Sequence, residues 1–174
     1  MVKGHMKTLT APTSWPVKRK NNIFVVRPKP GKSFETSVPL ALVFKNMLRY
    51  CKTMKEVKSV LQSNEILVDG KRRKSVKYTI GLMDILSIPE SNEYYRMLIA
   101  TSKKLFLYKI SKEESNFKIS KIVGKKSLGK DKTQLNFYDG TNLTVKEEKY
   151  KVGDSLKLTF DGKIMDHYNV EKGS

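Results

Sequence analysis

Residues 66–88 read ILVDGKRRKSVKYTIGLMDILSI, and the order of residue types in this stretch decides the fold. Ile66-Leu67-Val68 is a short apolar run of strand type. Asp69-Gly70 follows it, a pair that accepts positive φ at both positions and so closes a tight hairpin. Directly behind the turn stand four consecutive cations, Lys71, Arg72, Arg73 and Lys74, and then Lys77. A second strand is predicted over Asp84–Ile88, and Pro89 ends it. Most charge runs are simply solvated faces. Here, however, four adjacent cations repel one another behind a tight turn, and phosphates of folded RNA relieve that repulsion.

Upstream, the spacing predicts two helices. Leu40, Val43, Phe44, Met47 and Leu48 recur at helical spacing and define a buried stripe. Pro39 suits the first turn. Lys45 and Arg49 stand four apart on another face. Thr53 and Glu56 form a capping-box pattern for a second helix, with Val57, Val60 and Leu61 inward. Lys55 and Lys58 lie off that apolar face. Two helices packed on a basic hairpin expose a groove for a polyanion, and residues 37–89 are expected to form this RNA-binding domain.

Residues 1–36 read as a basic extended arm. Pro12, Pro16, Pro28, Pro30 and Gly31 interrupt any helix. The first 34 residues hold 8 basic groups and no acid. So charged and so poor in apolar groups, the arm is not expected to fold alone. Trp15 is its exception, read first as an anchor onto the neighbouring domain and second as a stacking partner for a base or ribose.

After Pro89 the texture turns to β. Strands are predicted over 96–101, 105–110, 117–123, 134–138, 142–145, 155–160 and 163–168, with Asp139-Gly140 and Asp161-Gly162 as turns. Leu105 and Leu107, Phe117 and Ile119, and Leu156, Leu158 and Phe160 are the expected inward positions. Short strands at close spacing suggest a small barrel or sandwich over 90–168, followed by a stub at 169–174. The fold class is therefore α+β.

Charge supports the same reading. The 174 residues carry a formal charge of +18. Residues 1–89 hold 18 Lys and Arg against 5 Asp and Glu, whereas residues 90–174 hold 17 against 12. The polyanion contact is therefore expected in the N-terminal half. The RNA-contacting residues are expected to be Lys3, His5, Lys7, Lys18, Arg19, Lys20, Arg27, Lys45, Arg49, Lys55, Lys58, Lys71, Arg72, Arg73, Lys74 and Lys77. Cys51 is the single cysteine, so neither an intrachain disulfide nor a cysteine metal cluster is expected. No signal peptide is recognised, and the apolar run Val38–Phe44 is too short to span a bilayer.

The stretch Ile66–Ile88 resembles the hairpin half of the αL RNA-binding motif, the S-four domain. The chain as a whole resembles the archaeal and eukaryotic ribosomal protein S-four-e family. The resemblance rests on KGHMKTLTAPTSWPVKRK at 3–20, RPKPG at 27–31, PLALVF at 39–44, VDGK at 68–71, GLMDILSIP at 81–89 and HYNVEKG at 167–173, in that order. It implies a structural, rRNA-binding role in the small ribosomal subunit, with neighbouring ribosomal proteins as partners and the cytoplasmic ribosome as location. Two departures stand out. The family continues into a glycine-rich KOW module where this sequence ends, and Lys32-Ser33 stand where a Pro-His pair is common.

Catalytic patterns are weak. Gly124-Lys-Lys-Ser-Leu-Gly129-Lys130-Asp131 nearly spells a P-loop, but a carboxylate follows the lysine where a hydroxyl and a helix N-terminus are needed. A basic β-loop is the expectation instead. His5 and His167 lack zinc spacing. Asn142-Leu-Thr144 is a formal glycosylation sequon, without consequence in a cytosolic protein. No cofactor, metal, small-molecule substrate, membrane contact or enzymatic activity is expected. An RNA-modifying enzyme is one alternative, because αL motifs are often fused to such catalytic domains, and a free RNA chaperone is the other, because its RNA chemistry would be the same.

Overall fold

The structure is a computed structural model that describes residues 4–129, 132–146 and 149–170. It divides into two compact units, residues 1–115 and 116–174. Few helices and several antiparallel sheets make up the chain.

In the first unit, β1 (Met6–Lys7) pairs with β2 (Phe24–Val25), so the basic arm folds back on itself as a ribbon. Trp15 is only 3% exposed, and its Nε1 donates to the Phe34 carbonyl at 2.9 Å. Trp15 is thus an anchor: its ring joins the apolar core and its polar edge keeps a partner. β3 (Ser37–Pro39) pairs with β6 (Thr79–Gly81).

The first helix differs from its expectation. α1 (Leu40–Leu42) passes at once into a wide π-type turn, Val43–Met47, in which the Leu48 N–H donates to the Val43 carbonyl at 2.9 Å. The extra residue per turn breaks the 3.6-residue register. Leu40, Val43 and Phe44 remain fully buried, while Met47 and Leu48 reach only the margin of the core. α2 (Met54–Ser63) follows the pattern closely. The Thr53 hydroxyl accepts from the Glu56 N–H at 3.3 Å, and the Glu56 carboxylate accepts from the Thr53 N–H at 3.3 Å. Val57 and Leu61 are buried.

The remaining strands of this unit are β4 (Leu67–Val68), β5 (Lys71–Arg72), β7 (Ile85–Ile88), β8 (Glu93–Ile99) and β9 (Leu105–Ile110). They form one antiparallel sheet in the order β5-β4-β7-β8-β9. The boundary expected after Pro89 therefore falls inside a sheet. β7 and β8 pair from Ile85↔Arg96 to Ile88↔Glu93, and the division into units comes after Ser115 instead. The backbone groups of the buried strand β7 need a pairing partner on each edge, and β8 supplies one of them.

The second unit is a five-stranded antiparallel sheet, with its own core of Ile122, Leu135, Phe137, Leu156 and Leu158. Its strands are β10 (Phe117–Gly129), β11 (Lys132–Phe137), β12 (Asn142–Val145), β13 (Ser155–Thr159) and β14 (Ile164–Tyr168), in the order β12-β11-β10-β13-β14. β10 serves two partners. Residues 117–121 pair with β13 and residues from Ile122 onward pair with β11, with a register shift between Ile122 and Gly124. Such a bulge bends a long strand and increases its twist.

The expected inward face of β10 is reversed in its first half. Phe117 and Ile119 are half-buried, whereas Lys118 and Ser120 are buried. Register explains this: Lys118 pairs with Leu158 and Ser120 with Leu156, and cross-strand partners share a face. The two leucines carry Lys118 inward, and Asp139 neutralises its ammonium in a buried ion pair. Phe160, expected inward with them, is only half-buried.

Candidate nucleic-acid interface

The β4–β5 hairpin is built by its turn. Asp69 has φ 50° and Gly70 φ 71°, both left-handed, so the chain reverses within two residues. Asp69 Oδ1 accepts from the Ile85 N–H at 3.0 Å and holds the turn on the sheet. Lys71, Arg72 and Lys74 stand exposed beyond it. Arg72 Nη2 donates to the Gln62 carbonyl at 3.3 Å, which ties β5 to the last turn of α2, where carbonyls favour a cation. Arg73 is half-buried, with its guanidinium 4.4 Å from the centre of the Tyr78 ring. The four cations thus split into two kinds. Lys71 and Lys74 face solvent, while Arg72 and Arg73 also hold the hairpin in place.

The helices present the next set. Lys55 and Lys58 are exposed on α2, away from Val57 and Leu61. Glu56, between them in sequence, is held ionised below the usual carboxylate range by the Lys52 N–H, then by Thr53. Lys45 is half-buried in the wide turn and Arg49 is exposed just after it, with φ 58°. Lys77 is exposed, and its carbonyl accepts from the Lys29 N–H at 2.9 Å.

In the arm, Lys7, Lys18 and Lys20 are exposed. His5 is exposed and meets Phe24 edge-on at 5.4 Å. Arg19 instead clasps its own arm, where Nη1 donates to the Leu9 carbonyl at 3.3 Å and Nη2 to the Ala11 carbonyl at 3.0 Å. Arg27 is half-buried. Lys3 and Lys130, and Asp131 with it, lie outside the described residues, as do residues 171–174 of the expected stub. Thr13, Trp15, Val17, Lys18, Arg19 and Lys104 help line an open cleft of about 320 Å³. Lys104 was not among the contacts expected from the sequence. The Leu105 N–H donates to the Ser14 carbonyl at 2.9 Å and so brings Lys104 beside the arm, a long-range bond with no local signature.

Lys32, which stands where the resembled family often has proline, forms a buried ion pair with Asp84, whose Oδ2 also accepts from the Gly81 N–H at 2.7 Å. The P-loop-like stretch is strand over 124–129, paired from Gly124↔Asn136 to Gly129↔Lys132. No phosphate-cradling loop forms over those residues.

Comparison with known proteins identifies the family. A profile described as Ribosomal family S4e matches residues 91–164, and one described as the RS4NT (NUC023) domain matches residues 2–31. Small ribosomal subunit protein eS4 of Methanothermobacter thermautotrophicus is 35% identical, across 98% of this chain and 71% of the relative. This chain belongs to the eS4 family. The eS4 protein of Methanococcus maripaludis (strain C5) is 39% identical, across 97% of this chain and 72% of the relative. The crystal structure of 30S ribosomal protein S4e from Thermoplasma acidophilum superposes with a TM-score of 0.69 at 28% identity, covering 79% of this chain and 71% of that one.

Proposed function

We propose that this eS4-family chain is a structural constituent of the small ribosomal subunit, that it binds rRNA there beside neighbouring ribosomal proteins, and that it performs no catalysis. Its relatives carry the name of a small-subunit protein. The observation that carries RNA binding is the β4–β5 hairpin: consecutive cations beyond a rigid two-residue turn, tied to a helix that is itself basic. A rigid cationic tip places charge against phosphates with little ordering cost. In the finer reading, α1, α2 and this hairpin constitute an αL-type RNA-binding fold, with β8 and β9 extending its sheet. Residues 117–168 constitute a small barrel-like module, and the basic arm lies along RNA.

Phosphate contacts make the affinity salt-dependent. With roughly five to eight phosphates engaged, log affinity should fall against log salt with a slope of about −4 to −7. Filter binding of the full chain to a small-subunit rRNA transcript across a salt series measures this. A flat slope would overturn the reading. So would loss of the chain from salt-washed small subunits.

A further inference from the structure

The contacts expected from the sequence all lie in residues 1–77, yet the second unit has a basic sheet face of its own. Leu135, Phe137, Leu143 and Val145 turn one side of β11 and β12 into the core. Alternation then sends the residues between them outward. Cross-strand registry aligns these in rows: Gly124 beside Asn136 and Asn142, and Lys126 beside Gln134 and Thr144. Lys132 continues the outward series of β11, and Lys146 follows directly after β12. Lys126, Lys132, Lys146, Asn142 and Thr144 are exposed, and Gln134 and Asn136 are half-exposed.

We propose that this outward face of β10, β11 and β12 is a second RNA-contact surface, which binds the sugar–phosphate backbone of folded RNA. The proposal rests on the rRNA-binding reading above and adds the second unit to it. Charge, hydrogen-bonding groups and shape select RNA as the occupant. The outward residues named here include three lysines and no carboxylate, which complements a polyanion. The rows between the lysines are amides and a hydroxyl, groups that both donate and accept and so suit ribose 2′-hydroxyls as well as phosphate oxygens. Gln134 Nε2 donates to Asn136 Oδ1 at 2.8 Å, so the two amides are held in register with each other. A protein partner would call for a cluster of apolar anchors at the centre. Here the exposed apolar side chains stand at the ends of the face, Val123 and Tyr138 beside the Gly124–Asn136 row and Leu128 at the hairpin tip. Gly124 completes the case: its missing side chain leaves Asn136 uncovered, since a Cβ there would lie 3.6 Å from the Asn136 amide nitrogen.

The test uses the full chain and a small-subunit rRNA transcript. Lys126→Glu/Lys132→Glu should weaken binding roughly 10- to 100-fold and make the salt slope shallower by about 1.5. Lys112→Glu/Lys163→Glu, an equal charge change at exposed lysines off this face, should cost under about threefold. Gly124→Glu introduces a carboxylate with ordinary contacts and every lysine retained, and should weaken binding as well. Circular dichroism confirms that each variant is folded, and Gly124→Glu decides the matter if the double variant is not. Losses no larger than the off-face control, with an unchanged slope, would overturn the proposal. Unchanged transcript binding with lost retention on assembled subunits would also overturn it, by making the occupant an acidic neighbouring protein. Lys71→Ala/Lys74→Ala runs in parallel. If it weakens binding while the face variants do not, only the second surface fails. If none of these variants weakens binding, the rRNA-binding reading fails with it.

Discussion

Two basic hairpins, one in each unit, follow opposite plans. β4–β5 has strands of two residues and carries its cations consecutively. Consecutive charges occupy both faces of a strand, so such a strand cannot pack either face into a core. β5 accordingly lies at the sheet edge, and its register is set by the left-handed Asp69-Gly70 turn. β10–β11 pairs a 13-residue strand with a 6-residue strand, and apart from the adjacent pair Lys125-Lys126 its lysines are interspersed. That spacing frees one face for Leu135 and Phe137, and the core sets its register. Charge that runs along a strand marks an element outside the core, whereas interspersed charge is compatible with an element that builds one.

The largest test of this contrast concerns Lys118, a cation that register carries inward. Lys118→Ala leaves the Asp139 carboxylate buried without its ion pair and should destabilise the second unit by about 3–5 kcal/mol. Lys126→Ala, on the outward face of the same strand, should stay within about 0.5 kcal/mol. Thermal melting of the two variants compares them directly, and equal melting temperatures would break the distinction.

The next largest effect sharpens the division within Lys71–Lys74. Lys71→Ala/Lys74→Ala should weaken rRNA binding by about 2 kcal/mol, about one per phosphate contact, with melting unchanged. Arg72→Ala and Arg73→Ala should each lower stability by about 1 kcal/mol as well, because each also loses an internal contact. A quadruple alanine variant therefore does not leave folding intact, and binding measured on it alone mixes two effects. Smaller still, Thr53→Ala removes the cap of α2 and should cost about 1 kcal/mol, read by urea denaturation.

The smallest effect is a pH dependence confined to acid. Asp154 is held below its ordinary pKa, first by the Lys151 N–H and then by His167, whose Nε2 lies 2.8 Å away. A depressed carboxylate stabilises the fold above its unfolded pKa of roughly 3.9 and loses that contribution as pH falls through the lower folded value. Asp139 acts in the same direction: burial pushes it up, but the Lys118 hydrogen bond and charge outweigh burial. Melting temperature should decline as pH falls below about 4, and Asp154→Asn should make that decline shallower. An equal decline in the variant would assign the acid sensitivity elsewhere.

Much of the interface could be read locally. The Asp69-Gly70 turn conformation, the Thr53/Glu56 box and the adjacency of the four cations are each set within four residues, so sequence spacing exposes them. Lys104 escaped because a bond between Ser14 and Leu105 places it. Arg19, expected at the interface, also holds two carbonyls of its own arm, which spacing alone does not show. The strand boundaries after Pro89 were largely readable, but the ownership of β8 and β9 was not, since pairing with β7 is a long-range event.

The sequence by itself therefore determined the short-range elements and the chemistry of the partner. Turn conformation, helix capping and net charge depend on residue type and spacing alone. The tertiary structure decided which cations remain available. Leu156 and Leu158 drew Lys118 into the core, Asp84 engaged Lys32, and Gln62 and Tyr78 engaged Arg72 and Arg73. The physical reason is that a lysine's or arginine's fate depends on the groups across the sheet or along the helix beside it, and those groups come from distant parts of the chain.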